Sequence, residues 1–178
     1  MTTTPVSMSD PIYDKLVNSI RKTYPNACIL FIDKITNNEL DERFQNRYLT
    51  ILEKRMIKDE PVEILELYHG TSEESMNNII KNGFNKKYNK VSAWGKGTYF
   101  SPLATMSASY SKPKDDEVSY MFMCDVIFGK NQIGSRNKEL TDDIDNYVNS
   151  LTNSSIICCP LDDMAIPRYV IAFHRNAK

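Results

Sequence analysis

The chain has 178 residues, 41% hydrophobic and 25% charged, which suits one globular domain and excludes wholesale disorder. Lysine plus arginine total 22 against 23 aspartates and glutamates, so a net charge of -1 supplies no global drive toward nucleic acid or an anionic membrane. Nothing approaches the roughly 18 consecutive apolar residues of a membrane span, and Met1–Asp10 lacks the basic start and apolar core of a signal peptide.

In chain order, residues 1–9 read as a flexible N-terminal tail and residues 10–178 as a single domain. Asp10-Pro11 is the N-cap and first position of a helix that carries Ile12, Leu16, Val17, Ile20 and Tyr24 at helical spacing. Asn26–Asp33 is a short apolar strand. A second helix follows Asn37-Asn38, with Leu40, Phe44, Tyr48, Ile51, Leu52 and Met56 as its buried stripe. Val62–Gly70 alternates as a half-buried strand, and Thr71 with Glu74 forms a capping box for a short helix closed by Gly83.

Phe84–Gly97 has no regular period and carries four lysines, a basic loop. A brief strand, "TYFS" (Thr98–Ser101), precedes a helix that starts at Ser101-Pro102 and runs through Tyr110. Glu117–Gly129 is β-rich and apolar on one face, a strand. Lys130–Asn153 is a long polar loop with room for one helical turn, and "SIICC" and "RYVIAFHR" are two last strands. Two helices followed by a strand-rich remainder predict an α+β domain rather than a wound parallel sheet.

Cys28, Cys124, Cys158 and Cys159 sit in apolar runs and read as small buried thiols, the adjacent pair pointing to opposite faces of a strand. With only His69 and His174 beside them, no metal-ligand spacing emerges. The reading is a reduced, metal-free intracellular protein, cytoplasmic or nuclear, with no membrane association.

Three segments carry candidate chemistry. In "LYHGT" (Leu67–Thr71) a histidine ends a strand beside a glycine, whose bare backbone lets a ligand approach; a turn glycine beside a hydrogen-bonded histidine is the plainer alternative. In "WGKGTYFSPLATMSASY" (Trp94–Tyr110), Ser107 and Tyr110 lie three residues apart on one helix face. A hydroxyl beside an aromatic ring suits a planar polar ring, whereas Tyr99 and Tyr110 could equally pack with exposed hydroxyls. In "IPRYVIAFHR" (Ile166–Arg175), Arg168 leads an apolar strand, where a solvated edge charge is the ordinary reading.

In this order and spacing, His-Gly-Thr, then Gly-Lys-Gly-Thr-Tyr-Phe-Ser, then Ser-Ala-Ser-Tyr resembles the catalytic domain of the poly(ADP-ribose) polymerase-like, or diphtheria-toxin-like, ADP-ribosyltransferases. Tyr24–Phe44 is similar to the opening segment of the mono-ADP-ribosylating members, and the likeness covers roughly residues 10–175. The resemblance implies the ADP-ribosyltransferase fold: two packed, mostly antiparallel sheets around an NAD cleft, with short flanking helices.

It further implies NAD as co-substrate, without a metal. His69 would bond a ribose hydroxyl, Gly70 would hold the nicotinamide carboxamide through its backbone beside Thr71, and Ser107 would complete that clamp. Tyr110 would stack on the ring, Tyr99 would line the opposite wall, and the lysine loop would cover the dinucleotide. Polymerising members carry a glutamate at a third motif position, where it polarises the ribose hydroxyl. The apolar pattern of the last strand puts Arg168 there, and an arginine cannot act as that base. Either Tyr169 turns inward instead, or Arg168 binds an anion. The expectation is transfer of one ADP-ribose to a protein acceptor. An inactive NAD- or ADP-ribose-binding module and transfer to nucleic-acid ends remain the alternatives.

Overall fold

Strand pairing organises the chain into two sheets. The computed structural model describes residues 1–89, 92–111 and 118–174. The larger sheet is antiparallel and joins β1 (Thr2–Pro5), β2 (Cys28–Thr36), β9 (Ala165–His174), β5 (Val118–Phe128) and β3 (Glu63–Thr71) in that spatial order. The smaller sheet runs β4 (Thr98–Phe100), β8 (Ile157–Cys159), β7 (Asn146–Val148), β6 (Asn131–Ile133), with only β6 and β7 parallel. The domain is α+β, with two mostly antiparallel sheets.

Side chains alternate across each strand, so the central strands feed two separate cores. Met121 and Met123 of β5 face Leu16 and Ile20 of α1 (Pro11–Thr23) and Ala104 and Ala108 of α4 (Ala104–Tyr110). Phe122, Cys124 and Val126 point the other way. There they meet Leu40 and Phe44 of α2 (Asn38–Met56), Ile79 and Ile80 of α3 (Glu73–Asn82), and the small sheet's Val148 and Ile157. Asp10 caps α1 by accepting from the Ile12 N–H, with Pro11 at the first position, where no N–H is missed.

Four local expectations are corrected. The N-terminal segment is not a free tail throughout: Thr2–Pro5 pairs with Asp33–Thr36, β-branched threonines suiting an exposed edge and Pro5 ending the strand. The N-cap of α3 is Ser72, which accepts from the Ser75 N–H, while Thr71 stays in β3. Among the described residues 130–153 hold two three-residue strands and no helical turn. Cys28 is exposed because it starts β2 at the sheet's end, whereas Cys158 and Cys159 are buried on opposite faces of β8.

A buried ion pair ties the small sheet to α2. Arg55 is fully buried and donates to Asp145 from Nε (2.6 Å) and Nη2 (2.8 Å), and to Glu60 from Nη1 (2.7 Å). Asp145 also accepts the Lys130 N–H, so the start of β7 is held from both sides. Among the described residues no helix is long and apolar enough to cross a membrane.

Candidate active site

The site grows from the free edge of β3. Tyr68 spends its main-chain N–H and C=O on Ser101, at 2.8 and 3.0 Å. Backbone groups repeat their direction every two residues, so those of Gly70 face the same edge, beyond the reach of the short β4. A Cβ on Gly70 would overlap the Ser107 carbonyl oxygen, so the missing side chain is what lets α4 lie against the strand. Ser107 is buried, and its hydroxyl donates to the Tyr68 carbonyl (2.9 Å), leaving lone pairs for an incoming N–H. Tyr110, one helical turn on, is 54% exposed with its ring at the cleft.

His69 projects from the same strand. Its Nδ1 lies 2.8 Å from the Tyr99 carbonyl oxygen; a carbonyl only accepts, so Nδ1 carries the proton and Nε2 keeps a lone pair. The imidazole packs on Phe84 and Phe100, with centroids 5.1 and 5.5 Å away. Burial lowers its pKa from the ordinary 6.5, which keeps the ring neutral at pH 7. Thr71 is buried and lines the cleft beside it.

Tyr99 uses its hydroxyl on the protein. It accepts from the Trp94 N–H (3.1 Å) and donates to the Gly95 carbonyl (2.5 Å), pinning the base of the loop whose lysines the sequence made conspicuous. Burial pushes the phenol up to about 12, against the Trp94 N–H bond, which pulls the other way. Gly95 has φ +121°, a conformation that disfavours any side chain, and a Cβ there would come within 2.6 Å of the Tyr147 ring.

These residues line one cleft of about 680 Å³, within the usual range for small-molecule sites. The structure brings His69, Gly70, Thr71, Tyr99, Ser107 and Tyr110 together there. Among the further lining residues that the sequence had not marked are Trp94 from the loop, Met106 from α4, and Ile156 immediately before β8. Trp94 and Met106 were inside the motif already quoted; Ile156 carried no signal, being an aliphatic after a polar loop. Among the described lining residues, Glu74 of α3 bears the one formal charge of an acid or a base.

Arg168 is not brought to the cleft. Strand β9 is central, with both faces covered, and Arg168 leaves it toward α2. There it donates to Asp125 (2.6 Å) and to Asp41, with its guanidinium 5.8 Å from the centre of the Phe44 ring. Tyr169, on the opposite face, packs with the α1 core, so the alternative register brings nothing to the cleft either. Two lysines of the basic loop are engaged elsewhere, Lys86 Nζ donating to the Pro160 carbonyl and Lys96 pairing with Glu139, and exposed Lys87 is not among the residues that line the cleft. Lys90 lies outside the described residues. Among the described residues no group of three or more His, Cys, Asp or Glu side chains is arranged to hold a metal.

Chemically, the cleft offers a neutral imidazole acceptor, a main-chain donor and acceptor side by side, a hydroxyl and an exposed aromatic face. That set can hydrogen-bond the edge of a planar polar ring and stack on its face. A family model described as the poly(ADP-ribose) polymerase catalytic domain matches residues 12–174. The chain is 27% identical over 180 residues to a human protein named protein mono-ADP-ribosyltransferase PARP14, covering 94% of this chain and 10% of that protein. It is 27% identical over 183 residues to mouse protein mono-ADP-ribosyltransferase PARP12, covering 97% and 25%. A third relative, mouse protein mono-ADP-ribosyltransferase PARP10, is 29% identical over 112 residues, 61% of this chain and 11% of its own length. The chain thus spans a quarter or less of these three relatives.

Proposed function

Because the chain belongs to the poly(ADP-ribose) polymerase catalytic-domain family, we propose that it binds NAD in this cleft and transfers a single ADP-ribose to a protein acceptor. The observation that carries the reading is the free backbone of Gly70 set against Ser107 and Tyr110. A carboxamide needs one donor and one acceptor held rigidly, and a ring that is cationic in NAD is attracted to a phenol face. Neutral His69 accepts from a ribose hydroxyl through Nε2. Holding the sugar and the ring at fixed separation supplies much of the rate enhancement for a reaction that passes through an oxocarbenium-like state.

The far wall supports transfer of one unit rather than a chain. We assign the third motif position to Ile156, which lines the cleft as an aliphatic side chain with no proton to move and no charge to offer. Some mono-transferring members of the resembled family carry such a residue there. The alternatives that rested on Arg168 lose their support, because its charge is spent on Asp41 and Asp125. A phosphate-gripping role for Lys86 and Lys96 weakens for the same reason.

Incubation of the chain with labelled NAD tests the proposal. The expected result is nicotinamide release and protein carrying single ADP-ribose units, both lost in Tyr110→Ala. Calorimetry that detects no NAD binding, or nicotinamide release unchanged in Tyr110→Ala, would overturn it.

A further inference from the structure

One side chain gathers the end of the turn that precedes Ile156, while the Asn153 N–H donates to the Ser150 hydroxyl (3.3 Å) within its tip. Between β7 and β8 the chain runs through Ser150–Ser155, and Asn149 Oδ1 accepts the N–H of Ser155 (3.1 Å) and of Ile156 (3.0 Å). The Ser154 hydroxyl lies 3.0 Å from the same oxygen and 2.7 Å from the Ile156 carbonyl oxygen. Asn149 Nδ2 donates to the Ser155 hydroxyl (2.9 Å), and the Asn149 N–H faces the Ile156 carbonyl at 3.4 Å. Both main-chain polar groups of Ile156 are therefore fixed, directly or through Ser154, by residue 149. Ser150–Ser155 contains no charged residue, and Leu151 at its tip is 63% exposed, so the turn has no ion pair of its own to hold it.

We infer that Asn149 is a positioning residue for the acceptor side of the reaction: it holds Ser155–Ile156 as a rigid wall so that an acceptor, rather than water, reaches the ribose carbon. This rests on the proposed function. In the transfer step the bond from ribose C1′ to the nicotinamide nitrogen breaks, its electron pair neutralising the ring. A bond from the acceptor heteroatom to C1′ forms, and the acceptor proton passes to solvent. Water in the acceptor's place gives free ADP-ribose by the same balance. A wall displaced by about 1 Å admits water and misaligns the acceptor, a misplacement that costs up to about a hundredfold in rate. Nothing in the contacts of Asn149 reaches the Gly70–Ser107–Tyr110 end, so NAD affinity is not expected to move.

The test compares wild type, Asn149→Ala and Asn149→Asp, using biotin-labelled NAD and the chain itself as the acceptor probe. The readouts are chain labelled per nicotinamide released, KM for NAD, and hydrogen exchange at the Ser155 and Ile156 amides. Aspartate keeps the accepting oxygen, and the Ser155 hydroxyl can turn to donate to it. Expected are a fall of about tenfold or more in the labelling ratio for Asn149→Ala, an unchanged KM, lost amide protection, and recovery of ratio and protection in Asn149→Asp. If Asn149→Ala does not fold, Asn149→Ser takes its place, its shorter hydroxyl being unable to reach both N–H groups. A wild type that turns over NAD while the alanine or serine variant keeps its labelling ratio overturns this inference alone, as does failure of Asn149→Asp to recover. A wild type that binds no NAD overturns the functional reading and this inference with it.

Discussion

The Ser107 carbonyl oxygen stands where a Cβ on Gly70 would have to be. Backbone atoms of a helix packed against the sheet cannot move aside as the tip of a flexible side chain can, so position 70 admits no side chain while α4 stays in place. Gly70→Ala is expected to push α4 off β3, carrying Ser107 and Tyr110 out of register with the strand edge. NAD affinity measured by calorimetry should fall by at least about tenfold, the loss of one well-placed hydrogen bond to a buried polar group. An alanine variant that binds NAD as wild type does would remove the main-chain clamp from the mechanism.

The neutral state of His69 makes a prediction with a definite sign. Burial lowers its pKa below the ordinary 6.5, so the unfolded chain takes up a proton before the folded one does. The stability this provides is complete above pH 6.5 and is lost as pH falls through the lower, folded value. NAD binding should follow: flat from pH 8 down to 6.5, then declining on the acid side as Nε2 gains a proton and can no longer accept. His69→Gln should abolish that acid limb. An inflection above pH 6.5 that disappears in the glutamine variant would contradict the assignment.

Tyr99→Phe keeps the aromatic wall and deletes the pin on Trp94 and Gly95. Two hydrogen bonds are lost and the Gly95 carbonyl keeps only the weak contact of the Cys158 thiol, 3.6 Å away. Urea unfolding should register a loss of about 1–2 kcal/mol. Loosening the loop base should also raise KM for NAD several-fold more than it lowers kcat. Since the phenol titrates only near 12, the wild-type activity profile should show no limb from this residue at pH 9 to 10. A variant with wild-type KM would show that the loop holds without Tyr99.

Arg168→Glu separates a structural arginine from a catalytic one. The substitution sets a third carboxylate against Asp125 and Asp41, and should destabilise the fold by about 2–4 kcal/mol, below the full cost of breaking a buried pair because the site is a quarter exposed. Arg168→Met, which keeps the contact with Phe44 and removes the charge, should cost less than the glutamate. In both folded variants NAD affinity and product length should match wild type. A longer product from Arg168→Glu would place position 168 at the ribose.

Much of the local structure was legible in the sequence because it is written in short-range chemistry. Asp10-Pro11 opens a helix through a side-chain acceptor and a missing N–H that costs nothing there. The β-rich, apolar composition of Glu117–Gly129 reported a strand, though one read as apolar on a single face, where the structure buries both. What the sequence hid involved partners far apart in the chain. Arg55 is one basic residue among several at the end of a helix, yet the Asp145 carboxylate that it pairs with lies 90 residues away. Residues 1–9 carried no apolar face, so pairing of Thr2–Pro5 with β2 left no trace in their pattern.

For the candidate site the division is sharper. The sequence by itself supplied one end of the cleft, His69, Gly70, Ser107 and Tyr110, because these residues sit in the short motifs that carry the family resemblance. Local spacing alone placed Ser107 and Tyr110 on one helix face; their meeting with His69 and Gly70 in one cleft is tertiary. Only the tertiary structure decided the opposite wall. Whether Arg168 or Ile156 faces the cleft depends on which strands lie at the centre of a sheet and which at its edge, a matter of pairing between distant segments. The apolar pattern of β9 is the same whichever strand it borders. Placed between β2 and β5 and covered on both faces, that strand turns its arginine toward α2 and leaves the cleft to the turn before β8.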